Sequence, residues 1–255
     1  MKLTLITAAY NSAATLRDTF DSVLEQTYKD IEYILIDGGS RDETRSLIHE
    51  YEPLFGGRMR WISEPDKGLY NAMNKGIDMS TGEVIGLINS DDFLSAPDSV
   101  ERQMAILEET QADAVYADVC YVDWNNVHRD IRYYSSVSFR RWKMRFGLMP
   151  AHPTFYCKRS VYEKYGNYRL DYKVAADFEC LLRFLFIHRI RTVYNPMQVV
   201  TMRNGGVSSN GFESRKEIML DHLRAFRENG VYTNPLFLSF RYFGKLWDLL
   251  KARFL

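Results

Sequence analysis

Four short apolar runs, separated by segments of helical periodicity, constrain the fold of this 255-residue chain more than any other feature. The apolar runs occupy residues 3–9, 31–37, 59–63 and 82–88. The helical segments lie at 13–26, 42–51, 69–79 and 97–109. Regular alternation of strand and helix predicts an α/β fold, with a mostly parallel sheet and helices on both faces.

Polar or small residues follow each of these strands. In open parallel sheets, ligands bind at the carboxyl ends of the strands. The segments at those ends are 8–11, 37–40, 63–68 and 89–92. We therefore expect one ligand site along this edge of the sheet.

The pattern changes after residue 112. Residues 112–123 and 131–134 predict a less regular strand pair, followed by helices and short strands to about residue 203. No repeat or low-complexity linker interrupts this region, so residues 1–210 are predicted to form one domain with halves 1–112 and 113–210. Residues 211–255 are predicted to add C-terminal helices.

Composition excludes several classes of protein. Hydrophobic residues make up 46% of the chain, which is enough for a packed core. Lys plus Arg and Asp plus Glu balance at 33 each, so no overall charge indicates a nucleic-acid partner. The three cysteines, Cys120, Cys157 and Cys180, lack metal-ligand spacing and predict reduced thiols in a cytoplasmic protein without zinc.

The apolar stretches are short. The N-terminal run in MKLTLITAAYNS gives way to polar residues before the core of a signal peptide could form. No window reaches the roughly 18 to 20 apolar residues that span a bilayer. Any membrane contact is therefore expected to be peripheral.

Two adjacent aspartates, Asp91 and Asp92, follow the fourth strand in the stretch GLINSDDFL. Two like charges at a strand end repel each other, and something must offset that cost. Helix capping is one explanation, although the next helix has its own start signals in Ser95 and Pro97. A bound cation or substrate is the other.

The first two strand ends suggest a nucleotide site. In DGGSRDET, two glycines permit a sharp turn, and Asp37 could accept a hydrogen bond from a base or a ribose. A plain strand-to-helix turn is the alternative. In TAAYNS, Ala8, Ala9 and Tyr10 could border a planar base, or the alanines could be small because the sheet is crowded there.

The third strand end, EPDKGLYNAMNKG, is unusually polar for a core helix. A solvated face would explain this composition, but a face rich in both Asn and Lys at this sheet edge favours contact with a polar ligand. The polar residues concerned are Asp66, Lys67, Asn71, Asn74 and Lys75.

In this order and spacing, TAAYNSAATL, IDGGSRDET, EPDKGLYNAMNKGI and GEVIGLINSDD resemble the family 2 glycosyltransferases of the GT-A fold, over residues 1 to about 210. The resemblance implies a nucleoside diphosphate sugar donor, with UDP expected, and Mg²⁺ or Mn²⁺. It assigns Ala9 and Asp37 to the base and ribose, Asp91 to the donor and Asp92 to the metal. The donor site implied by the matching segments also includes Ala8, Tyr10, Asn11, Asp66, Lys67, Asn71, Lys75, Asn89 and Ser90.

The chain departs from the family pattern at two points of this site. Gly38 follows Asp37 where the family commonly has a second acid. Asn89 stands at the first acid of the usual Asp-x-Asp. Because of these departures, metal binding is expected to depend more on Asp92, and the identity of the nucleotide is less well defined.

Transfer of a sugar to an alcohol requires a base to take the hydroxyl proton. The segment KVAADFECLLRFL resembles the family's base-bearing helix, with Ala176-Asp177 in place of the commoner Glu-Asp pair. The resemblance therefore implies Asp177 as the catalytic base. An acid in the first turn of a helix also interacts favourably with the helix dipole, which is the alternative.

Two more residues are donor-site candidates. His152, in AHPTFYCKRSVYEKYGNY, could touch the diphosphate, the metal or the acceptor, or it could be structural. Arg203, in RNGGVSSN, could supply charge as that loop closes over the diphosphate. A flexible surface loop is the alternative for Arg203.

Aromatic and basic residues are interleaved in SFRRWKMRFG and in the C-terminal PLFLSFRYFGKLWDLLKARFL. This composition suits a helix that binds peripherally to anionic lipid at the inner face of the cell membrane. The acceptor would then be a saccharide on a polyprenyl or other lipid, as in bacterial surface polysaccharide assembly. Packing on the same domain, or on a second subunit in a homodimer, is the alternative.

The favoured function is an inverting, metal-dependent glycosyltransferase acting on a hydroxyl of a saccharide or lipid-linked saccharide. A non-catalytic subunit that binds sugar nucleotides or glycans would retain the same fold. A nucleotidyltransferase would need a basic, glycine-rich loop near the N-terminus, which TAAYNSAATL lacks.

Overall fold

The computed structural model describes residues 1–205 and 211–240. Its strands are β1 (Leu3–Ala9), β2 (Ile31–Asp37), β3 (Met59–Ser63), β4 (Val84–Leu87), β5 (Phe93–Leu94), β6 (Ala114–Val122), β7 (Asp130–Tyr134), β8 (Tyr156–Lys158) and β9 (Thr192–Arg203). Its α-helices are α1 (Leu16–Leu24), α2 (Thr44–Tyr51), α3 (Leu69–Met79), α4 (Ser99–Thr110), α5 (Arg159–Tyr165), α6 (Ala176–Leu181) and α7 (Gly211–Glu228). The predicted early strands and helices are confirmed, with small differences at their ends.

The described strands form one mixed sheet in the order β3-β2-β1-β4-β8-β6-β9-β5, with β7 paired to β6. The first four strands are parallel, as the alternating sequence predicted. Beyond β4 the sheet contains both antiparallel and parallel pairs. The predicted pair formed by residues 112–123 and 131–134 is confirmed as β6 and β7.

The sheet separates two hydrophobic cores because successive side chains of a strand point to opposite faces. Leu3 and Leu5 of β1 join the core beneath α1, α2 and α4. Ile6 and Ala8 join the core beneath α3, α6 and α7. Helices therefore cover both faces, as expected for this class of fold.

The ends of three parallel strands lie in register. Ala9 pairs with Asp37, and Asp37 pairs with Ser63. The chain leaves these strands at the same level and turns into a helix after each. This register is what collects the candidate residues at one edge of the sheet.

Helix α7 packs against the second half of the domain. Ala225 and Phe226 are fully buried in the same core as Phe178 of α6. The ring of His222 stacks on that of Phe178, with centroids 3.7 Å apart. The domain boundary near residue 210 stays a prediction, but the part of α7 that contacts α6 belongs to the same packed body.

Candidate active site

The turns after β1 and β2 are joined by hydrogen bonds. The backbone N–H of Asn11 donates to Ser40 Oγ at 2.8 Å, and that of Ser12 donates to Thr44 Oγ1 at 2.8 Å. The Asn11 side chain accepts a hydrogen bond from the backbone of Arg41 at 2.9 Å. The two turns therefore form one rigid unit at the sheet edge.

The side chains of Ala8 and Ala9 face the two cores, and both are buried. The crowding of the sheet accounts for their small size. Tyr10 instead exposes 59% of its surface beside the joined turns. Of the first predicted segment, Tyr10, Asn11 and the backbone are what a ligand could reach.

Asp37 lies fully buried at the end of β2. Its carboxylate accepts hydrogen bonds from the Ser40 backbone at 3.2 Å, from the Ser40 hydroxyl and from Ser63 Oγ at 2.6 Å. A Cβ on Gly38 would lie 2.6 Å from Asp66 Oδ2. Glycine at this position thus lets the Asp66 carboxylate approach the turn that Asp37 organises.

The polar start of α3 is ordered by its own side chains. Asp66 Oδ1 accepts from the backbone of Gly68 at 2.8 Å, and Asn71 Oδ1 accepts from that of Lys67 at 3.2 Å. Lys75 forms an ion pair with Glu64 at 2.7 Å. Lys67 is exposed and has no carboxylate partner within residues 1–205 and 211–240, so its ammonium remains available to an anionic ligand.

The acidic pair follows β4. Asp92 is 1% exposed, and its Oδ2 accepts a hydrogen bond from Asn89 Nδ2 at 2.9 Å. Thr19 Oγ1 donates to the backbone carbonyl of Asp92 at 2.7 Å. Ser90 Oγ lies 2.8 Å from Ser12 Oγ, which ties this turn to the one after β1.

Burial makes it unfavourable for Asp91 and Asp92 to carry negative charge. Burial raises the pKa of Asp92 well above its usual range, and the charge of Asp91 raises it further. Burial also raises the pKa of Asp91, and Arg203 opposes that rise. The Arg203 guanidinium donates to the backbone carbonyl of Asp91 at 2.7 Å and pairs with Asp18. Arg203 is thus shared by Asp18 and the acidic pair, and its single positive charge does not balance two neighbouring carboxylates.

The acidic pair fits a magnesium or manganese ion shared with a substrate. Asp91, Asp92 and the amide oxygen of Asn89 are hard donors, and such ions commonly bind one or two carboxylates together with substrate phosphates. Across residues 1–205 and 211–240, no group of three His, Cys, Asp or Glu side chains is placed to hold a metal. The donor set therefore suits a cation completed by phosphate oxygens and water, and it does not suit a dedicated protein cage.

Asp177 lies in the first turn of α6 and is partly buried. Its Oδ1 accepts from the backbone of Phe178 at 2.8 Å and lies 3.3 Å from the hydroxyl of Tyr70. Tyr70 belongs to α3, in the first half of the domain. The base candidate of the second half is thus in contact with the helix that begins at the donor-site candidates.

Tyr121 lies at the end of β6, one residue before the strand ends. Burial raises the pKa of Tyr121, and the charges of both Asp92 and Asp177 contribute to that rise. The Arg132 guanidinium lies 4.3 Å from the centre of the tyrosine ring. Tyr121 is therefore within electrostatic range of both acidic candidates.

Sequence reasoning did not identify Tyr70 or Tyr121. Tyr121 would have been identified if the rule that ligands bind at the carboxyl ends of parallel strands had been applied to β6. Tyr70 stands within EPDKGLYNAMNKG, but its role depends on a contact 107 residues away in the chain.

His152 is buried beside Tyr168, and its Nε2 lies 2.8 Å from the tyrosine hydroxyl. Burial lowers the pKa of His152, and the nearby charge of Asp177 opposes that effect. The Asn74 side chain exchanges two hydrogen bonds with the Tyr168 backbone, at 2.7 and 3.0 Å. His152 and Asn74 therefore have structural partners near the base candidate.

The loop containing Arg203 is described only to residue 205, so predicted closure by residues 206–210 lies outside the described residues. The same holds for most of the C-terminal segment PLFLSFRYFGKLWDLLKARFL. The apolar residues predicted to form one helical stripe there include Phe243, Trp247, Leu250 and Phe254, and the basic residues nearby are Arg241, Lys245, Lys251 and Arg253; all of these lie outside the described residues. The three cysteines are free and buried.

Comparison with known sequences gives a family for the chain. The profile of the family described as Glycosyl transferase family 2 matches residues 4–166. A PGL/p-HBAD biosynthesis glycosyltransferase of Mycobacterium bovis is 30% identical over 207 residues, covering 81% of this chain and 78% of the relative. An uncharacterized glycosyltransferase of Mycobacterium tuberculosis is 32% identical over 184 residues, covering 71% and 68%.

Solved structures share the fold at low sequence identity. Residues 1-349 of TarS of S. aureus, in complex with UDP-GlcNAc, have a TM-score of 0.69 and 16% identity over 88% of this chain and 67% of that TarS fragment. The mannosyltransferase PcManGT of Pyrobaculum calidifontis, in complex with GDP-Man and Mn²⁺, has a TM-score of 0.64 and 15% identity over 97% and 80%. The profile match, the relatives and the fold together show that this chain belongs to glycosyl transferase family 2 and is a glycosyltransferase of the GT-A fold.

Proposed function

We propose that the chain is an inverting, metal-dependent glycosyltransferase that moves a sugar from a nucleoside diphosphate sugar to a hydroxyl of a saccharide. The observation that carries this proposal is an acidic pair after β4, with Asp92 buried and Asp91 partly buried, and a separate carboxylate, Asp177, on α6. Asp177 contacts Tyr70 on α3, the helix that begins at the donor-site candidates. The pair suits a cation that arrives with a diphosphate, and the separate carboxylate suits removal of the acceptor proton.

In this mechanism, Asp177 accepts the proton of the acceptor hydroxyl as its oxygen forms a bond to the anomeric carbon. The bond from that carbon to the diphosphate oxygen breaks, and the nucleoside diphosphate leaves with the electron pair. Asp92 and Asp91 would hold Mg²⁺ or Mn²⁺, which when bound supplies positive charge to the diphosphate. The exposed ammonium of Lys67 supplies further positive charge at the sheet edge.

UDP is the nucleotide that we propose for the donor. One fold neighbour, TarS, has been solved both with UDP-GlcNAc and with UDP, whereas another, PcManGT, was solved with GDP-Man. In this chain, Tyr10 would border the base, and Asp66, held beside Gly38, would face the base and ribose region. Asp37 would act mainly by fixing the turn, since Ser40 and Ser63 already bond its carboxylate.

A thermal-shift panel tests the donor class directly. We expect UDP with Mn²⁺ or Mg²⁺ to stabilise the protein, by about 2.7 kcal/mol at roughly 100 times the dissociation constant. UDP without metal should stabilise it less, because the acidic pair then repels the diphosphate. The panel should include GDP, UDP-GlcNAc and GDP-mannose, each with and without metal.

A larger stabilisation by GDP would correct the nucleotide but retain the enzyme class. If no nucleotide stabilises the protein at millimolar concentration with either metal, the proposed donor site is wrong. If a nucleotide sugar binds but neither hydrolysis nor transfer is detected with any saccharide acceptor, the non-catalytic binding subunit becomes the better interpretation.

We further propose that the acceptor is lipid-linked and that the protein acts at the inner face of the cell membrane. Trp142 exposes 57% of its surface, Leu236 66% and Phe240 48%. Phe146 connects the two segments, with its ring centroid 5.8 Å from that of Phe240 and near Trp142. Exposed aromatic side chains beside basic residues, such as Lys143 over the Trp142 ring, suit an anionic interface. Within the described residues, no helix combines the length and hydrophobicity needed to cross a bilayer.

Sedimentation with anionic liposomes at low salt tests this surface. We expect the double variant Trp142→Ser, Leu236→Ser to bind roughly tenfold more weakly, because it removes apolar side chains that would enter the interface. Trp124→Ser is the matched control, since Trp124 is also exposed but lies after β6. Equal loss in the control, or no pelleting of the folded native protein, would contradict membrane binding and favour a soluble acceptor or a homodimer contact.

A further inference from the structure

The segment that leads into α6 lies between two helices from distant parts of the chain. Residues 173–177 contact α3 on one side and α7 on the other. The segment contains Asp177 and the residues that fix where its carboxylate points. Its contacts therefore determine the position of the proposed base.

On the α3 side, Tyr70 contacts this segment twice. Its hydroxyl donates to the backbone carbonyl of Val174 and lies 3.3 Å from Asp177 Oδ1. The Tyr70 ring stacks on that of Tyr168, with centroids 5.9 Å apart. A phenol held at both ring and hydroxyl has little freedom to move away from the carboxylate.

On the α7 side, Asp221 accepts two backbone hydrogen bonds through one oxygen. Val174 N donates at 3.0 Å and Ala175 N donates at 3.1 Å, both to Asp221 Oδ2. These two N–H groups immediately precede the first turn of α6. Charge-assisted hydrogen bonds of this kind are stronger than neutral ones, so Asp221 fixes the backbone from which Asp177 projects.

We propose that Tyr70 and Asp221 are positioning residues for Asp177, and that α7 is therefore part of the catalytic apparatus. The inference rests on the proposed function, because there Asp177 is the base. A base must be held within about 0.5 Å of its productive position by the groups around it. Tyr70 lies in the first turn of α3, directly after the donor-site segment 64–68, so the contacts that order the start of α3 also order the base.

The first experiment is Tyr70→Phe, which removes one hydroxyl and retains the ring. We expect kcat for donor hydrolysis, in which water replaces the acceptor, to fall about tenfold while the Kd for UDP stays unchanged. The variant loses the hydroxyl that bonds Val174 and lies against Asp177, whereas the proposed nucleotide-binding turns after β1 and β2 stay intact. The loss should therefore appear in kcat and not in nucleotide affinity.

Tyr51→Phe is the matched control, because it also removes a phenol bonded to a carboxylate, Asp21 Oδ1 at 2.7 Å, at α2. It should leave both kcat and the Kd for UDP unchanged.

The second experiment compares Asp221→Ala with Asp221→Asn. Alanine leaves two N–H groups without their acceptor, so kcat should fall by about tenfold to a hundredfold with UDP affinity retained. Asparagine keeps an oxygen acceptor and should restore part of the rate. Arg227→Gln is the control on the same helix, because Arg227 is an exposed side chain in the last turn of α7.

Unchanged kcat in both Tyr70→Phe and Asp221→Ala would overturn the inference. So would equal losses of kcat and UDP affinity, because those would indicate general damage to the fold. Full activity in Asp177→Asn would instead contradict the proposed base, and the two failures are thereby distinguished.

Discussion

Replacement of Asp177 by asparagine is expected to reduce kcat for sugar transfer by about a thousandfold, within the usual range for loss of a general base. The amide cannot accept the acceptor proton at neutral pH, although it can still accept hydrogen bonds from Tyr70 and from the Phe178 backbone. The substitution lies outside the turns after β1 and β2, where we propose that the nucleotide binds. The Kd of UDP with Mn²⁺, measured by calorimetry, should therefore remain close to that of the native protein.

Asp171→Asn is the matched control for this experiment. Asp171 lies six residues earlier in the chain, half-exposed, and pairs with Arg169 and Arg224. Loss of the Asp171 carboxylate should change the free energy of unfolding only slightly and leave kcat near the native value. If Asp177→Asn keeps native turnover, Asp177 is a helix-stabilising residue and the base must be sought elsewhere.

The parts of the site that the sequence predicted are those set by local periodicity. The strands before Asp37 and Asp92 are apolar, and parallel strands must end at one edge, so these acids could be placed at that edge. The same reasoning could not distinguish the two explanations for Ala8 and Ala9. Their side chains face the cores, because alternation along β1 leaves no room for an exposed residue before Tyr10.

Contacts between distant segments could not be predicted in this way. Arg203 pairs with Asp18 across 185 residues, and Tyr70 meets Asp177 across 107. Such contacts depend on the paths of several loops and on which strands become neighbours, neither of which leaves a periodic pattern. Strand β5 was missed for a related reason, since two residues, Phe93–Leu94, pair with β9 without forming an apolar run.

Asp92→Asn is expected to have two opposite effects. The folded protein raises the pKa of Asp92 through burial and the charge of Asp91. A group with a raised pKa favours folding while protonated, and this contribution is lost as pH rises above about 4, the ordinary pKa of aspartic acid, through the folded pKa. At neutral pH without metal, the variant should therefore be more stable than the native protein, by about 1 to 2 kcal/mol.

The variant should at the same time lose the stabilisation that UDP and Mn²⁺ give together, because the neutral amide is a poorer ligand for a hard cation. Its turnover should fall accordingly. Urea unfolding of the metal-free proteins at pH 5 and pH 7 measures the first effect, and the gain of the variant should be larger at pH 7.

Asp98→Asn controls for the substitution itself, since Asp98 is an exposed acid paired with Arg102. It should show neither effect. If Asp92→Asn is less stable than the native protein at both pH values, the Asp92 carboxylate stabilises the fold through its hydrogen bond with Asn89. The acidic pair would then serve to shape the turn. Higher stability with retained metal-dependent UDP binding would instead assign the cation to Asp91. Our interpretation is that the two carboxylates are kept together, at a cost to folding, for a cation that arrives with the substrate. It requires both results: Asp92→Asn must be more stable than the native protein without metal, and it must lose the metal-dependent stabilisation by UDP.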